Sequence, residues 1–415
     1  MTLIAASSGP VDRALRERAS VALPAGAYGH VTADLLWPEA PQFVSRAEGS
    51  RFWDADGKEY VDLMCSWGPI LLGHRHPVVE EAVQRQHRRV DCGNGPGAIM
   101  VDLAERLVDV VDHADWAMFA KNGSDATTLC LTLARAHTGR STILVAEGAY
   151  HGALPWCNPN QLGVVAGDRA HLAYYRYNDL DSVVDAARAN AGDLSGIIVS
   201  PFRHDAGFDQ ELPDPVFAQG LRDLCDRTGA LLILDDVRCG LRIAYGSSWE
   251  PLGVAPDLSA WSKGIANGYA LAAVLGSEHV RSAARSIFAT GSFWFSADAM
   301  AASLATLDVL ERDDGVAVMH RWGRRLWDGI EHHARQRGVA VNLTGHVALP
   351  YVTFPGDLDH ALGELFAAVC AREGVYVHPR HNWFVSTALT DEDLDIALAA
   401  MGRGLEAVAA AGRHG

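Results

Sequence analysis

The run Ala230-Leu231-Leu232-Ile233-Leu234 is apolar throughout and stops at two carboxylates, Asp235 and Asp236. A strand with one wet face alternates apolar and polar residues. This one does not, so it reads as a strand buried on both faces that surfaces at its carboxyl end. Similar short runs stand at Trp116–Ala120, Thr142–Glu147 and Ile197–Ser200, with helical patterns between them from about residue 77 to 300. That alternation predicts an α/β fold, a mostly parallel sheet between helices. Open sheets of this kind bind ligands outside the carboxyl ends of their strands, so the residues after each run are where chemistry is expected.

The flanking segments read differently. Residues 12–23 predict a short helix ending at Pro24-Ala25-Gly26, and Arg51–Asp62 a hairpin turning at Asp56-Gly57. After a composition shift at Asp313-Asp314-Gly315, helical patterns at about 316–337, 358–373 and 390–411 flank strand-like Tyr351–Phe354 and Val375–His378. At 415 residues the chain is long for one core. The expected division is an N-terminal segment, 1–64, that contributes to a small domain and the substrate entrance; a large domain, 65–312; and a C-terminal small α+β domain, 313–415.

Charge excludes several classes. Acidic residues outnumber basic ones by 51 to 35, for a net charge of −16, and no basic stripe is visible. Nucleic acid and anionic membrane surfaces are therefore not expected partners. No segment has the apolar length of a membrane span, and Met1–Ala6 is too short an apolar run for a secretion signal. Seven scattered cysteines without a C-x-x-C pair suit a reducing compartment, so a cytoplasmic protein is expected. The histidines of Gly73–Pro77 and His378–His381 lack the carboxylate–histidine helix motif of a metal site, and no metal is expected.

Lys263 lies 28 residues after Asp235, in Trp261-Ser262-Lys263-Gly264, where glycine permits close backbone approach. An amine near a carboxylate is what pyridoxal phosphate (PLP) chemistry requires: the lysine binds the cofactor covalently and the acid keeps the pyridine nitrogen protonated. Asn122-Gly123-Ser124-Asp125, between a strand and a helix, offers Ser124 as N-cap and free N–H groups at Gly123, Ser124 and Asp125 for a phosphate. An ordinary capped turn has the same sequence. Tyr150, between glycines in Glu147–Gly152, suits stacking on a planar ring or packing on its own domain. Val237, two residues beyond Asp235, is placed by strand alternation on the same side. Arg242 is a candidate anion ligand or a partner for surface acids, and Arg380 and His381 follow a C-terminal strand.

Together these segments resemble the class III aminotransferases, fold-type-I PLP enzymes, and most closely the glutamate-1-semialdehyde aminomutase branch. The resemblance spans Trp53–Gly57, Ser66–Pro69, Leu72–Pro77, Asn122–Ala126, Glu147–Gly152, Asp235–Val237, Gly240–Arg242 and Ser262-Lys263. It implies a seven-stranded, mostly parallel sheet in the large domain and a smaller α+β domain from both chain ends. It also implies that Lys263 forms the internal aldimine and shuttles the proton, and that Asp235 pairs with the pyridine nitrogen. Tyr150 and Val237 would hold the ring, Gly123 and Ser124 the phosphate, and His151 would also bind the cofactor. Ser292 would reach the phosphate of a partner subunit, implying a homodimer with composite active sites. Trp67, Arg242, Arg380 and His381 fall where substrate contacts are expected.

Two departures bear on substrate. Thr32 stands where the aminomutases carry a carboxylate-gripping arginine, and Ser200-Pro201 replaces the family's Glu-Pro. A substrate carboxylate without a cation in a dry pocket is costly, which argues against the aminomutase substrate. Arg380 offers a replacement cation from another direction. The expected activity is amino-group transfer from a small-molecule donor to a carbonyl acceptor through pyridoxamine phosphate. Intramolecular amino-group migration or racemisation on the same scaffold is the alternative.

Overall fold

A computed structural model of the protein describes residues 9–37 and 39–411; the N-terminal run Met1–Ala6 lies outside them. The chain forms two compact units.

Pro77–Asp205 and Gln210–Val316 make the first. Its sheet has seven strands, in spatial order Trp116–Ala120, Ala272–Gly276, Leu258–Trp261, Leu231–Asp235, Leu194–Val199, Thr142–Ala146 and Leu172–Tyr175. Neighbours from Leu258–Trp261 through Leu172–Tyr175 are parallel, while Ala272–Gly276 is antiparallel to both strands beside it. The continuous apolar run now has its reason. Leu231 and Ile233 enter a cluster with Leu129 and Leu133 of helix Gly123–Thr138; Leu232 and Leu234 enter another with Phe217 and Leu221 of helix Pro215–Thr228. Each such side chain contributes about 1.5–3 kcal/mol on full burial, so a polar residue on either face would be costly.

The second unit runs to His76 and includes Ala206–Asp209 and the chain from Ala317. Val44–Glu48, Arg51–Asp54 and Glu59–Asp62 form an antiparallel meander, and Val375–Tyr376 joins it in parallel beside Glu59–Asp62. Phe52 stacks on Tyr60 at 5.0 Å, over Ala371. The hairpin turns where expected: Asp54 Oδ1 accepts from the N–H groups of Asp56 and Lys58, at 3.0 and 2.9 Å, and Gly57 takes φ 86°.

The unit boundaries differ from the expected 64/65 and 312/313. Residues 65–76 pack on the C-terminal segment: Thr387 N–H donates to Leu71 O at 2.8 Å, and a Cβ on Gly73 would lie 2.5 Å from that of Ala388. The second division falls within helix Gly315–Arg337, which continues unbroken into the C-terminal unit. Ala206–Asp209 joins this unit through Gly207 N–H, which donates to Arg380 O at 2.8 Å.

Candidate active site

Strand register brings Lys263 to Asp235. Asp235 is opposite Ala260 in the neighbouring parallel strand, and Lys263 is the third residue beyond Ala260. The two side chains therefore leave adjoining strand ends at the same edge of the sheet. Lys263 opens a short turn, Lys263–Ala266, with φ 50°, a left-handed conformation that costs a side-chain-bearing residue of order 1–3 kcal/mol. Ser262 Oγ anchors the turn by donating to Leu271 O at 2.8 Å.

The Lys263 amine is pushed down to about 7, first by burial and next by the Arg238 guanidinium. Asp235 and Cys239 oppose the shift and Arg242 adds to it. A neutral amine is the nucleophilic form. The sequence holds two other lysines, Lys58 and Lys121. Their amines donate to backbone carbonyls, Lys58 to Ala371 O at 2.8 Å and Lys121 to Ala270 O at 2.9 Å.

Asp235 is buried and held at both oxygens. Oδ2 lies 2.6 Å from His151 Nδ1, and Oδ1 accepts from Val237 N–H at 3.2 Å. His151, expected among the cofactor-binding residues, meets the carboxylate. Its ring stacks 6.2 Å from Trp156, its carbonyl accepts from Thr127 Oγ1 at 2.8 Å, and its Nε2 is buried without a partner among the described residues. Val237 follows the end of the strand, so strand alternation does not place it; the close approach of Gly123 does.

The cap of helix Gly123–Thr138 corrects the sequence reading. Asn122, with extended backbone at φ −122°, is the N-cap, and Ser124 lies inside the first turn. Asp125 Oδ2 accepts from Asn122 N–H at 3.0 Å, while Asp125 N–H donates to Asn122 O at 3.0 Å and is not free for an anion. Gly139 ends the helix in the left-handed conformation, at φ 67°. Around the N-terminus two glycines allow contacts that other residues would block. A Cβ on Gly123 would lie 2.8 Å from Val237 Cγ1, and one on Gly152, at φ 128°, would lie 2.3 Å from Ser124 Oγ. Ser124 Oγ accepts from Ala153 N–H at 3.2 Å, which leaves its own proton to donate.

These residues fit PLP: a helix N-terminus and a hydroxyl for its phosphate, a carboxylate for its pyridine nitrogen and, for its aldehyde, an amine whose pKa burial lowers. When bound, PLP supplies the electron sink for bond breaking at the amine-bearing carbon of the substrate. Tyr150 sits in the adjacent loop, 39% exposed, its hydroxyl pKa raised by burial.

Arg242 is buried, not a surface residue. In the other unit, Trp67 lies 5.0 Å from His378 and 5.1 Å from His381, ring to ring. Arg380 is already paired there, its Nη2 lying 2.5 Å from Glu364 Oε1. Ser292 is exposed, and its carbonyl faces Cys92 Sγ at 3.5 Å. Two buried basic residues escaped the sequence reading. Arg238 donates through Nη1 to His204 O at 3.2 Å, and His204 lies in the Ser200-Pro201 segment where a family carboxylate is missing.

A buried lysine beside a buried aspartate at the strand ends of such a sheet fits a fold-type-I PLP enzyme. Residues 37–405 match the model of the class-III aminotransferases, and the chain belongs to that family. It is 49% identical over 402 residues to the aminopentol aminotransferase of Sphingopyxis macrogoltabida, covering 97% of this chain and 95% of the relative. It is 33% identical to the 3-aminobutyryl-CoA aminotransferase of Cloacimonas acidaminovorans, covering 89% and 90%. The PLP internal aldimine form of the FumI protein of Sphingopyxis sp. MTA144 superposes with a TM-score of 0.95 at 49% identity, over 96% of this chain and 97% of that one. The chain is a PLP-dependent aminotransferase acting on small molecules.

Proposed function

We propose that amino transfer occurs at Lys263 and that the donor is a primary amine whose nitrogen is not on the carbon next to a carboxylate. Lys263 binds PLP and carries the proton at the reacting carbon. Asp235, steadied by His151, holds the ring nitrogen protonated, and Gly123 and Ser124 receive the phosphate. Tyr150 and Val237 flank the ring. The observation that carries this assignment is the pairing of Asp235 with Ala260, which sets Lys263 at the adjoining strand end. Two further features support the donor class. The relatives are named for an aminopentol and for 3-aminobutyryl-CoA, compounds whose names put no amine on a carbon next to a carboxylate. Thr32 stands in place of the aminomutase carboxylate grip, and Arg380 is paired with Glu364.

The protein acts as a homodimer in the cytoplasm. Ser292 lies among exposed Phe288 and Phe293, a surface suited to cover by a second subunit, and the cysteines are free thiols. A panel of amines and keto acids, followed by conversion of bound PLP to its amine form, tests the donor class. Conversion by aminopentol-type or β-amino donors and not by α-amino acids is the expected result. A preference for α-amino acids as donors contradicts it.

A further inference from the structure

Helices Leu180–Ala189 and Pro215–Thr228 end at the amino edge of the parallel strands, the edge opposite Asp235. Between their last turns and the start of strand Leu194–Val199 lies a cavity of about 360 Å³. Pockets that take small ligands run from about 300 to 1,000 Å³ and combine apolar walls with a few placed polar groups. Here Val184, Leu194 and Leu224 give the apolar wall, and Arg140, Arg188 and Arg227 supply three guanidiniums. Leu194 and Leu224 belong to the core cluster of Phe217 and Leu221, so the wall is continuous with the core.

Arginines in a last helical turn can serve the helix itself by meeting its free carbonyls. Of the three, Arg140 does so: its Nη1 donates to Thr228 O at 2.7 Å and to Leu194 O at 3.1 Å. The other last-turn carbonyls have partners of their own. Thr228 Oγ1 donates to Leu224 O and Asn190 Nδ2 to Ala186 O, both at 2.8 Å. Arg188 lies 3.5 Å from Asp185 in an exposed pair, which is worth little. Arg227 makes no hydrogen bond or ion pair among the described residues. Asp193, beside Leu194, already accepts from Ser141 N–H at 2.9 Å and Thr142 Oγ1 at 2.8 Å. In a chain of net charge −16, a part-apolar cavity with two uncommitted guanidiniums suits an anion.

We propose that this cavity is a second binding site, separate from Lys263, for a small organic carboxylate with an aliphatic body. Arg140 is preset by its two carbonyls, and Arg188 and Arg227 grip the carboxylate. The aliphatic chain lies along Leu194 and Leu224. The apolar wall is what favours such a ligand over a free inorganic anion.

The test titrates the PLP-loaded, full-length enzyme with hexanoate and follows binding by ligand-detected NMR. Hexanamide and inorganic phosphate are titrated in parallel. Hexanoate should bind wild type saturably, with a Kd on the order of 1 mM. The double variant Arg188→Ala/Arg227→Ala removes two exposed side chains, so the fold is kept. It should weaken hexanoate binding by roughly tenfold or more, while the amine-to-PLP half-reaction keeps its wild-type rate. Absence of saturable hexanoate binding, equal binding in the double variant, or equal binding of hexanamide overturns the proposal. Phosphate binding more tightly than hexanoate overturns the choice of an aliphatic carboxylate.

Discussion

His151 Nδ1 lies 2.6 Å from Asp235 Oδ2, and both side chains are buried. The imidazole thereby fixes the carboxylate proposed to face the cofactor nitrogen, and Trp156 and Thr127 fix the imidazole. A hydrogen bond to a charged group is worth about 1.5–3 kcal/mol. His151→Ala should therefore slow the amine-to-PLP half-reaction by roughly ten- to a hundred-fold while covalent cofactor remains. Stopped-flow absorbance measures this, and an unchanged half-reaction rate would remove His151 from the site.

Asp235→Ala should also retain covalent PLP but lose more rate than His151→Ala, because it removes the group proposed to keep the ring nitrogen protonated. The comparison is made in single-turnover experiments at saturating donor. Wild-type kinetics in Asp235→Ala would contradict the role.

Gly152→Ala introduces a Cβ 2.3 Å from Ser124 Oγ at a residue with φ 128°. Overpacking of this kind typically costs about 1–3 kcal/mol, and the displaced atom is the hydroxyl assigned to the phosphate. Weaker PLP binding is expected, measured by equilibrium titration, together with a lower melting temperature. Wild-type affinity in a destabilised variant would separate Ser124 from the cofactor.

Asp236 is buried, accepts from Ser248 N–H at 3.0 Å and Ser247 Oγ at 3.2 Å, and has its pKa pushed up to about 7, chiefly by burial. An unfolded aspartate titrates near about 3.9. The folded form thus holds the proton more tightly, and this group's contribution to stability declines as pH rises from about 4 through 7. Asp236→Asn removes that decline. Its melting temperature relative to wild type should climb across this window and then level off; a pH-independent difference would contradict the reading.

The dimer assignment predicts complementation. Lys263→Ala and Ser292→Ala subunits, mixed after reversible dissociation, should regain part of the activity neither parent has, since one site per heterodimer is then intact. No recovery, with heterodimers demonstrated, would place Ser292 outside the partner's site.

Much of this was legible in the sequence where one physical cause dominated. The Ala230–Asp235 run could be apolar throughout only if both faces were covered, and Asp56-Gly57 occupies a position that demands turn chemistry. Leu258–Trp261 and Ala272–Gly276 were not read as strands because they are four- and five-residue segments of mostly small residues, held by their neighbours on the sheet. Ser124 was read as the N-cap because serine is a good cap in isolation; the back-bond from Asn122 to Asp125 moved the helix start upstream. Arg238 and His204 were passed over because arginine and histidine are seldom fully enclosed, and burial is a property of the fold. The clue was the missing carboxylate at Ser200-Pro201, beside which the two basic groups lie.

The most direct measurement is borohydride reduction of the PLP-loaded enzyme, then peptide mapping by mass spectrometry. With three lysines in the chain, the result is nearly digital. The account predicts the reduced cofactor on the peptide bearing Lys263, with Lys58 and Lys121 unmodified. Cofactor mass on Lys58 or Lys121, with Lys263 clean, would contradict it.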